Sequence, residues 1–596
     1  MNSDMKQELE QRYEELFIKY HLERPLDAQN VSSIIRESLH TFLQDAKKPA
    51  IYCNGGHTKM LMADFIHELK GVKYIVDNYM SPEEEKGFFL IRDQEMEQLG
   101  IDAIVLSSYK FRQELKQRLS VMHPNIPILD IYDEFEKRGV AVKADYYYSN
   151  HPYQHYKRIN QLQREIVNAT EKYPLKELYI ALVTKYLHIK DFRTAIIKLQ
   201  DWRTIENIIQ EDRILADALL KDVEALYHLQ KDAIASISEK HVLMLCLDGL
   251  RQQDLSDYYM PKINSILKET GYRYTNAYSY STSTYESLVP VYSENTDLRS
   301  KYYEKSNVRL ENCRFASFAK QQGRKIYIYG DAEHFIEGEH IQYSECFLTV
   351  TEKLWQFVLD ANNTEYGLFY LHESYESHFT FSNPYTQNPL ISEGTAMLFD
   401  FLPMKGGRLR ADYAKQHKDA IRYLDDVLEA LLRYLNCRMI LYADHGNLIL
   451  EYDTNLAEVK DIEYTCSEGW TRIPMILRSP EIGTGENNQL ISLMELNEMV
   501  INLLEEKIYE APKLEYIKLA RSELYNPDFR FLYRMIDKEL YLQAFECFVF
   551  FNGRKIIIFA DGTIELYDTT DQRIDDDTIQ IEMFQQVRKE ITVCIV

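Results

Sequence analysis

Apolar residues first gather in short runs separated by helical patterns. Ala50-Ile51-Tyr52-Cys53 has strand length and runs into Asn54-Gly55-Gly56-His57-Thr58. Met60, Leu61, Ala63, Phe65, Ile66 and Leu69 then recur at helical spacing. Val72–Val76 reads as a second strand ending on Asp77-Asn78, and Ile101–Leu106 as a third that stops at Ser107-Ser108. Strands alternating with helices predict a parallel α/β domain over residues 1–145, opened by mixed-charge helices within residues 1–48. From 146 to 238 only helical periodicity remains, as in Ile159–Val167, Leu175–Leu187, Ala195–Ile209 and Ile214–Leu229. No glycine falls between Gly139 and Gly249, and no repeat period emerges, so this stretch is predicted to be a helical connector.

The α/β pattern returns over residues 239–596. Val242–Leu247 ends at Asp248-Gly249, Lys325–Tyr329 at Gly330-Asp331, Tyr366–Leu371 at His372, and Arg438–Tyr442 at Ala443-Asp444-His445-Gly446. Each run delivers polar residues to its C-terminal end, the edge at which open parallel sheets bind ligands. The chain closes on Cys547–Phe551, Lys555–Phe559 and Ile564–Tyr567, linked by Asn552-Gly553 and Asp561-Gly562. Both dipeptides are hairpin turns, so a small antiparallel sheet is predicted.

Asp248, Asp444 and His445 offer oxygen and nitrogen donors from separate strand ends, a set suited to a divalent cation. Between them in sequence lies Tyr280-Ser281-Thr282-Ser283-Thr284-Tyr285-Glu286-Ser287, entering a predicted helix. A hydroxyl at a helix N-terminus beside a cation is an activated nucleophile. In the first domain, the glycine pair sits at a strand-to-helix turn whose amides favour phosphate, and Asp77 stands where a ribose-binding acid would fall.

The order of these parts, LCLDGL with Asp248, then Thr282-Ser283-Thr284-Tyr285-Glu286-Ser287, then Asp444-His445-Gly446, resembles the alkaline phosphatase/sulfatase superfamily. Within it the look is that of lipoteichoic acid synthases and phosphoethanolamine transferases. Leu371-His372-Glu373-Ser374-Tyr375-Glu376-Ser377-His378-Phe379 is similar to the family's substrate loop, and the ELYD tail to the small sheet of sulfatases. The resemblance implies an α/β fold with a mostly parallel sheet and a small C-terminal antiparallel sheet. It implies one divalent metal ion, Mn or Zn, on Asp248, Thr282, Asp444 and His445. Thr282 would be the catalytic nucleophile, with Thr284 the runner-up. His378, His372 and Asp331 would bind substrate, with His334 beside Asp331. No cysteine has the C/S-x-P-x-R context of a true sulfatase, and His445 is the last histidine, so a second metal site looks incomplete. The CNGGHT turn resembles the nucleotide-sugar-binding, Rossmann-like domain of bacterial sugar N-acyltransferases, which implies ligand contacts at Gly55, Gly56 and Asp77.

Charge and composition narrow the class. A formal net charge of −24 over 596 residues leaves no basic surplus for nucleic acid. No apolar run approaches the ~20 residues of a membrane helix, and the start has no secretory pattern. Eight cysteines without CxxC suit a reducing compartment, so the expected location is cytoplasmic, with no transmembrane anchor. The expected activity is a metal-dependent phosphoryl-ester transferase or hydrolase working through a phosphothreonine. Its substrate would be a phosphorylated small molecule or a surface-glycan precursor receiving phosphoglycerol or phosphoethanolamine. The alternative is a non-catalytic recognition module of the same fold.

Overall fold

The computed structural model describes residues 2–593 apart from 26–27, 56, 59–60, 63–64, 79–83, 86–87, 141–151, 170–172, 207, 297–306, 331–334, 345–347, 387–407, 450–455 and 526. These residues divide into two compact units, 24–155 and 1–23 with 156–596.

The smaller unit is built on β1 (Pro49–Tyr52), β2 (Tyr74–Val76), β3 (Glu84–Glu85), β4 (Phe88–Ile91), β5 (Ala103–Leu106) and β6 (Ile128–Asp130), in the order β3-β4-β2-β1-β5-β6. All pairs are parallel except β3 with β4. Alternate residues of a strand face opposite sides. Ile51 and Val105 therefore join Leu61 and Phe65 in one core, while Ala50, Ile104 and Leu106 join Val76 and Met96 in the other.

In the larger unit, Leu9, Tyr13, Leu16 and Phe17 of the leading helix Asn2–Tyr20 are buried in the same core as the helices between 152 and 235 and the central strands. Its main sheet comprises β7 (Val242–Leu247), β8 (Tyr272–Tyr278), β10 (Lys325–Tyr329), β12 (Ile341–Tyr343), β13 (Gly367–Glu373), β14 (Arg438–Tyr442), β15 (Met475–Arg478) and β16 (Gly485–Ser492). Their order is β12-β10-β13-β7-β14-β15-β8-β16, and only β15 runs antiparallel to its neighbours. A short parallel pair, β9 (Val308–Arg309) and β11 (Ile336–Glu337), stands apart. β7 is buried along its whole length, as its uninterrupted apolar run requires of a strand covered on both faces.

The C-terminal sheet is antiparallel throughout, in the order β17 (Tyr516–Arg521), β18 (Phe545–Phe550), β19 (Lys555–Phe559) and β20 (Ile564–Tyr567). Gly553 and Gly562 take φ of +80° and +87° in the two hairpin turns, where a side chain would be strained. Lys555 is wholly buried on this sheet. Its Nζ lies 2.6 Å from Glu468 Oε1 and 2.9 Å from Asp571 Oδ1, and donates to the Cys466 carbonyl at 3.0 Å. Burial opposes its charge, but the two carboxylates hold it protonated.

Buried neutral histidines make both units sensitive to acid. Burial lowers the pKa of His188 to about 3, of His241 to about 4, and of His57 in the smaller unit to about 4. In an unfolded chain these groups bind a proton near ~6.5. Between that value and the folded one the unfolded state holds more protons, so stability falls as pH drops through the window. Each histidine then loses at most about 1.4 kcal/mol per pH unit. Calorimetry from about pH 7 down to about pH 4.5 is expected to show Tm falling for both units. A Tm that stays flat across this range contradicts the assignment.

Candidate active site and metal centre

β7 pairs in parallel with β13 on one side and β14 on the other, and Cys246 stands opposite both His372 and Tyr442. The three strand ends therefore lie level. The Asp248 amide donates to the Glu373 carbonyl at 2.9 Å, extending the ladder by one residue, and Gly249 turns the chain at φ +72°. The Gly249 amide donates to Asp444 Oδ1 at 3.0 Å, and the His445 amide donates to the same oxygen at 2.8 Å. Asp444 Oδ2 is buried and accepts no hydrogen bond.

His445 Nε2 lies 3.4 Å from Asp444 Oδ2 and 3.6 Å from Asp248 Oδ1, while its Nδ1 donates to the Gly446 carbonyl at 2.6 Å. His378 uses Nδ1 in the same way, on the Phe379 carbonyl at 2.8 Å. With Nδ1 engaged, Nε2 carries the lone pair in both rings. His372 Nε2 is 3.6 Å from Asp248 Oδ2, and neither ring nitrogen of His372 makes a hydrogen bond. Two donor sets, each drawn together within 4.8 Å, result: Asp248, His378 and His445, and Asp248, His372 and Asp444. Asp248 belongs to both.

The ionisation states suit a cation. Burial lowers His372 to about 4, and burial together with the neighbouring His445 lowers His378, so both rings are neutral ligands. Burial works against the Asp444 carboxylate, but His445 beside it and the two amides hold it below the usual carboxylate range. Buried oxygen and nitrogen atoms without protein partners, in a mixed set, fit either Mn²⁺ or Zn²⁺.

The hydroxyl that reaches this cluster is that of Thr284. Its Oγ1 is 3.4 Å from Asp248 Oδ2 and 3.2 Å from His445 Nε2. Thr284 opens the helix Thr284–Ser293, with Ser283 as the extended N-cap. Thr282 lies two residues earlier and makes no hydrogen bond to Asp248, Asp444 or His445 among the described residues. The expected pair Asp444-His445 and the expected substrate residues His378 and His372 are thus brought together with Asp248, and the hydroxyl hydrogen-bonded to Asp248 and His445 is that of Thr284, not Thr282. Asp331 and His334 lie outside the described residues, as does Gly56. Asp77 is engaged at the first turn of the smaller unit, where its Oδ2 accepts from the Asn54 amide at 3.0 Å. A Cβ on Gly55 would meet nothing within 4 Å.

Supporting residues escape a reading by motif. Glu286 is buried away from the cluster, where Ser281 and Ser522 donate to its two oxygens. Glu373 accepts from the amides of Tyr375 and Glu376 at 2.7 Å each and from Ser377, shaping the loop that carries His378. Lys353, fully buried, donates to the His372 carbonyl at 2.7 Å. Asn447 joins three of these segments, and its place directly after Asp444-His445-Gly446 was the one signal available in sequence.

Residues 342–505 match the protein-family model described as Sulfatase. The matched segment lies within the larger unit and carries His372, His378, Asp444 and His445 but neither Asp248 nor Thr284. No curated protein matches the chain. Solved structures similar to it include a phosphonate monoester hydrolase from Silicibacter pomeroyi, at 11% identity and TM-score 0.44, covering 60% of this chain and 96% of that one. They also include BT1596, a 2-O GAG sulfatase, at 14% identity and TM-score 0.40 (59% and 91% covered). The C-terminal periplasmic domain of EcEptC from Escherichia coli, in complex with Zn, is a third, at 14% identity and TM-score 0.33 (45% and 83% covered).

Because both donor sets use Asp248, Asp248→Ala is expected to empty the centre. His372→Ala, which spares one set, is expected to keep measurable cation. Metal analysis of the purified proteins after dialysis checks this. Wild-type metal content in Asp248→Ala would place the cation elsewhere.

Proposed function

We propose that the chain is a metal-dependent phosphoryl-ester transferase or hydrolase whose nucleophile is Thr284. The observation that carries this reading is the Thr284 hydroxyl at the start of a helix, within 3.4 Å of Asp248 and 3.2 Å of His445. Asp248, Asp444, His445, His372 and His378 would hold the cation. A divalent cation there lowers the proton affinity of the hydroxyl and offsets phosphoryl charge. Thr284 Oγ1 attacks phosphorus in line, releasing its proton to solvent. The P–O bond to the leaving group breaks as the Oγ–P bond forms, giving a phosphothreonine. The first-turn amides of the helix face the phosphoryl oxygens. Water or an acceptor hydroxyl then attacks phosphorus and restores the threonine. The six described cysteines are Cys53, Cys246, Cys313, Cys437, Cys466 and Cys547, and none lies in the Ser281–Ser287 segment. This supports phosphoryl over sulfuryl ester chemistry. We assign the substrate to phosphodiesters or monoesters of the phosphoglycerol or phosphoethanolamine type, with a glycan precursor as acceptor.

Thr284→Ala is expected to lower kcat on bis-p-nitrophenyl phosphate by about three orders of magnitude or more, while bound cation is retained. Thr282→Ala is expected to stay within about threefold of wild type, since it leaves the nucleophile in place. Intact-mass analysis of an acid-quenched reaction is expected to find the phosphoryl adduct on Thr284. Near-normal turnover by Thr284→Ala sinks the reading.

For the smaller unit we propose a nucleotide-sugar subsite at Gly55, Gly56 and Asp77, supported by the open space at Gly55. Calorimetry with UDP-sugars is expected to give saturable binding that Gly55→Trp abolishes. No heat with any UDP-sugar removes the subsite.

A further inference from the structure

Asn447 follows the Asp444-His445-Gly446 run and is 5% exposed. Its Nδ2 donates to the Gly249 carbonyl at 2.7 Å and to the Ser377 carbonyl at 3.2 Å. Gly249 directly follows Asp248, Ser377 directly precedes His378, and Asn447 itself stands two residues past His445. One side-chain amide therefore joins three chain segments that approach from three strands, and each segment carries a cation-facing residue.

The surroundings leave this amide little freedom. A Cβ on Gly249 would come within 2.4 Å of Asn447 Nδ2, so the amide nitrogen rests directly on the turn. The other end of Gly249 is held by the same returning segment, through its amide on Asp444 Oδ1 at 3.0 Å. Behind Asn447, the Gly446 amide donates to the Trp470 carbonyl at 2.7 Å, and a Cβ on Gly446 would lie 2.0 Å from the Gly469 carbonyl oxygen. The backbone that bears Asn447 is thus fixed against the segment 467–471 before its side chain reaches across.

The chemistry selects asparagine. Two carbonyl oxygens need two N–H donors from one short side chain, and a primary amide supplies both. Aspartate would present only acceptors to them. Leucine keeps the volume and removes both bonds.

We infer that Asn447 is a positioning residue that sets the spacing of Asp248, His378 and the Asp444–His445 pair, and through that spacing the affinity for a divalent cation. The inference rests on the metal-dependent reading above. Outer partners that hold ligands in place typically change metal affinity by about 10- to 100-fold when removed.

The test is calorimetric titration of Mn²⁺, and separately of Zn²⁺, into the metal-stripped full chain, with Tm measured for each variant. Asn447→Leu is expected to weaken cation binding by about 10- to 100-fold. Asn447→Ser, which removes the same two bonds with a smaller change, serves if the leucine variant does not fold. Asn362→Ala is the control. Asn362 is equally buried and its Nδ2 donates to the carbonyls of Ala233 and Val358, among helices. It is expected to lower Tm without changing cation affinity. Wild-type affinity in the Asn447 variants overturns the inference, as does an equal loss in Asn362→Ala, which would make the effect one of general stability. Failure of the wild-type chain to bind either ion would instead overturn the metal-dependent reading itself.

Discussion

The register of β13, β7 and β14 is the constraint on which the rest of the larger unit depends. Cys246 faces both His372 and Tyr442, so the chain leaves all three strands at one level. β7 is buried on both faces, and a shift by one residue would send every side chain to the opposite face. Packing on a wholly apolar strand thereby fixes where Asp248, His372 and Asp444 emerge. No contact among those three residues is needed to bring them together.

That convergence creates an electrostatic problem which the surrounding backbone solves in part. Two aspartates and three histidines meet where burial penalises charge. Two amides turn toward Asp444 Oδ1, and His372 and His378 stay neutral. Glu373, one residue beyond His372, keeps its charge despite burial because of Glu376, Lys353 and Ser377, and Glu376 is pushed up by burial and by Glu373. One carboxyl of that pair is ionised and the other protonated, which removes a like-charge clash beneath the loop carrying His378. Asp444 Oδ2 and both His372 nitrogens, buried without a hydrogen-bond partner, belong to a cation-facing set.

Sequence made the candidate ligands legible because strand ends are legible. Apolar runs such as Val242–Leu247 and Arg438–Tyr442 announce where they stop, and the next polar residues are Asp248 and Asp444. The proposed nucleophile was less so, since the resemblance points to Thr282 while the helix begins at Thr284, and helix boundaries are the least certain feature of a sequence reading. With Ser283 as N-cap, it is the Thr284 hydroxyl that lies against Asp248 and His445. β16 escaped notice because its first five residues are polar and only its end is buried. β8 carries polar residues at Arg273, Thr275 and Asn276, and Arg273 is buried against Asn264, a pairing no period-two pattern reveals.

The C-terminal sheet looks in sequence like an appendage, two hairpins after the chemistry is complete. Its contacts make it part of the site. The Ala520 amide on β17 donates to the Tyr280 carbonyl at 2.9 Å, and Ser522 donates to Glu286, two residues beyond Thr284. Lys555 on β19 binds Glu468, at the head of the short helix whose Trp470 carbonyl receives the Gly446 amide. The sheet thus braces the Thr284 segment from one side and the Asp444–His445 segment from the other. A buried ion pair such as Lys555–Glu468 is weak grounds for stability, because desolvation offsets much of its attraction. The sheet that carries this pair also puts Ser522 against Glu286, on the helix that opens at Thr284.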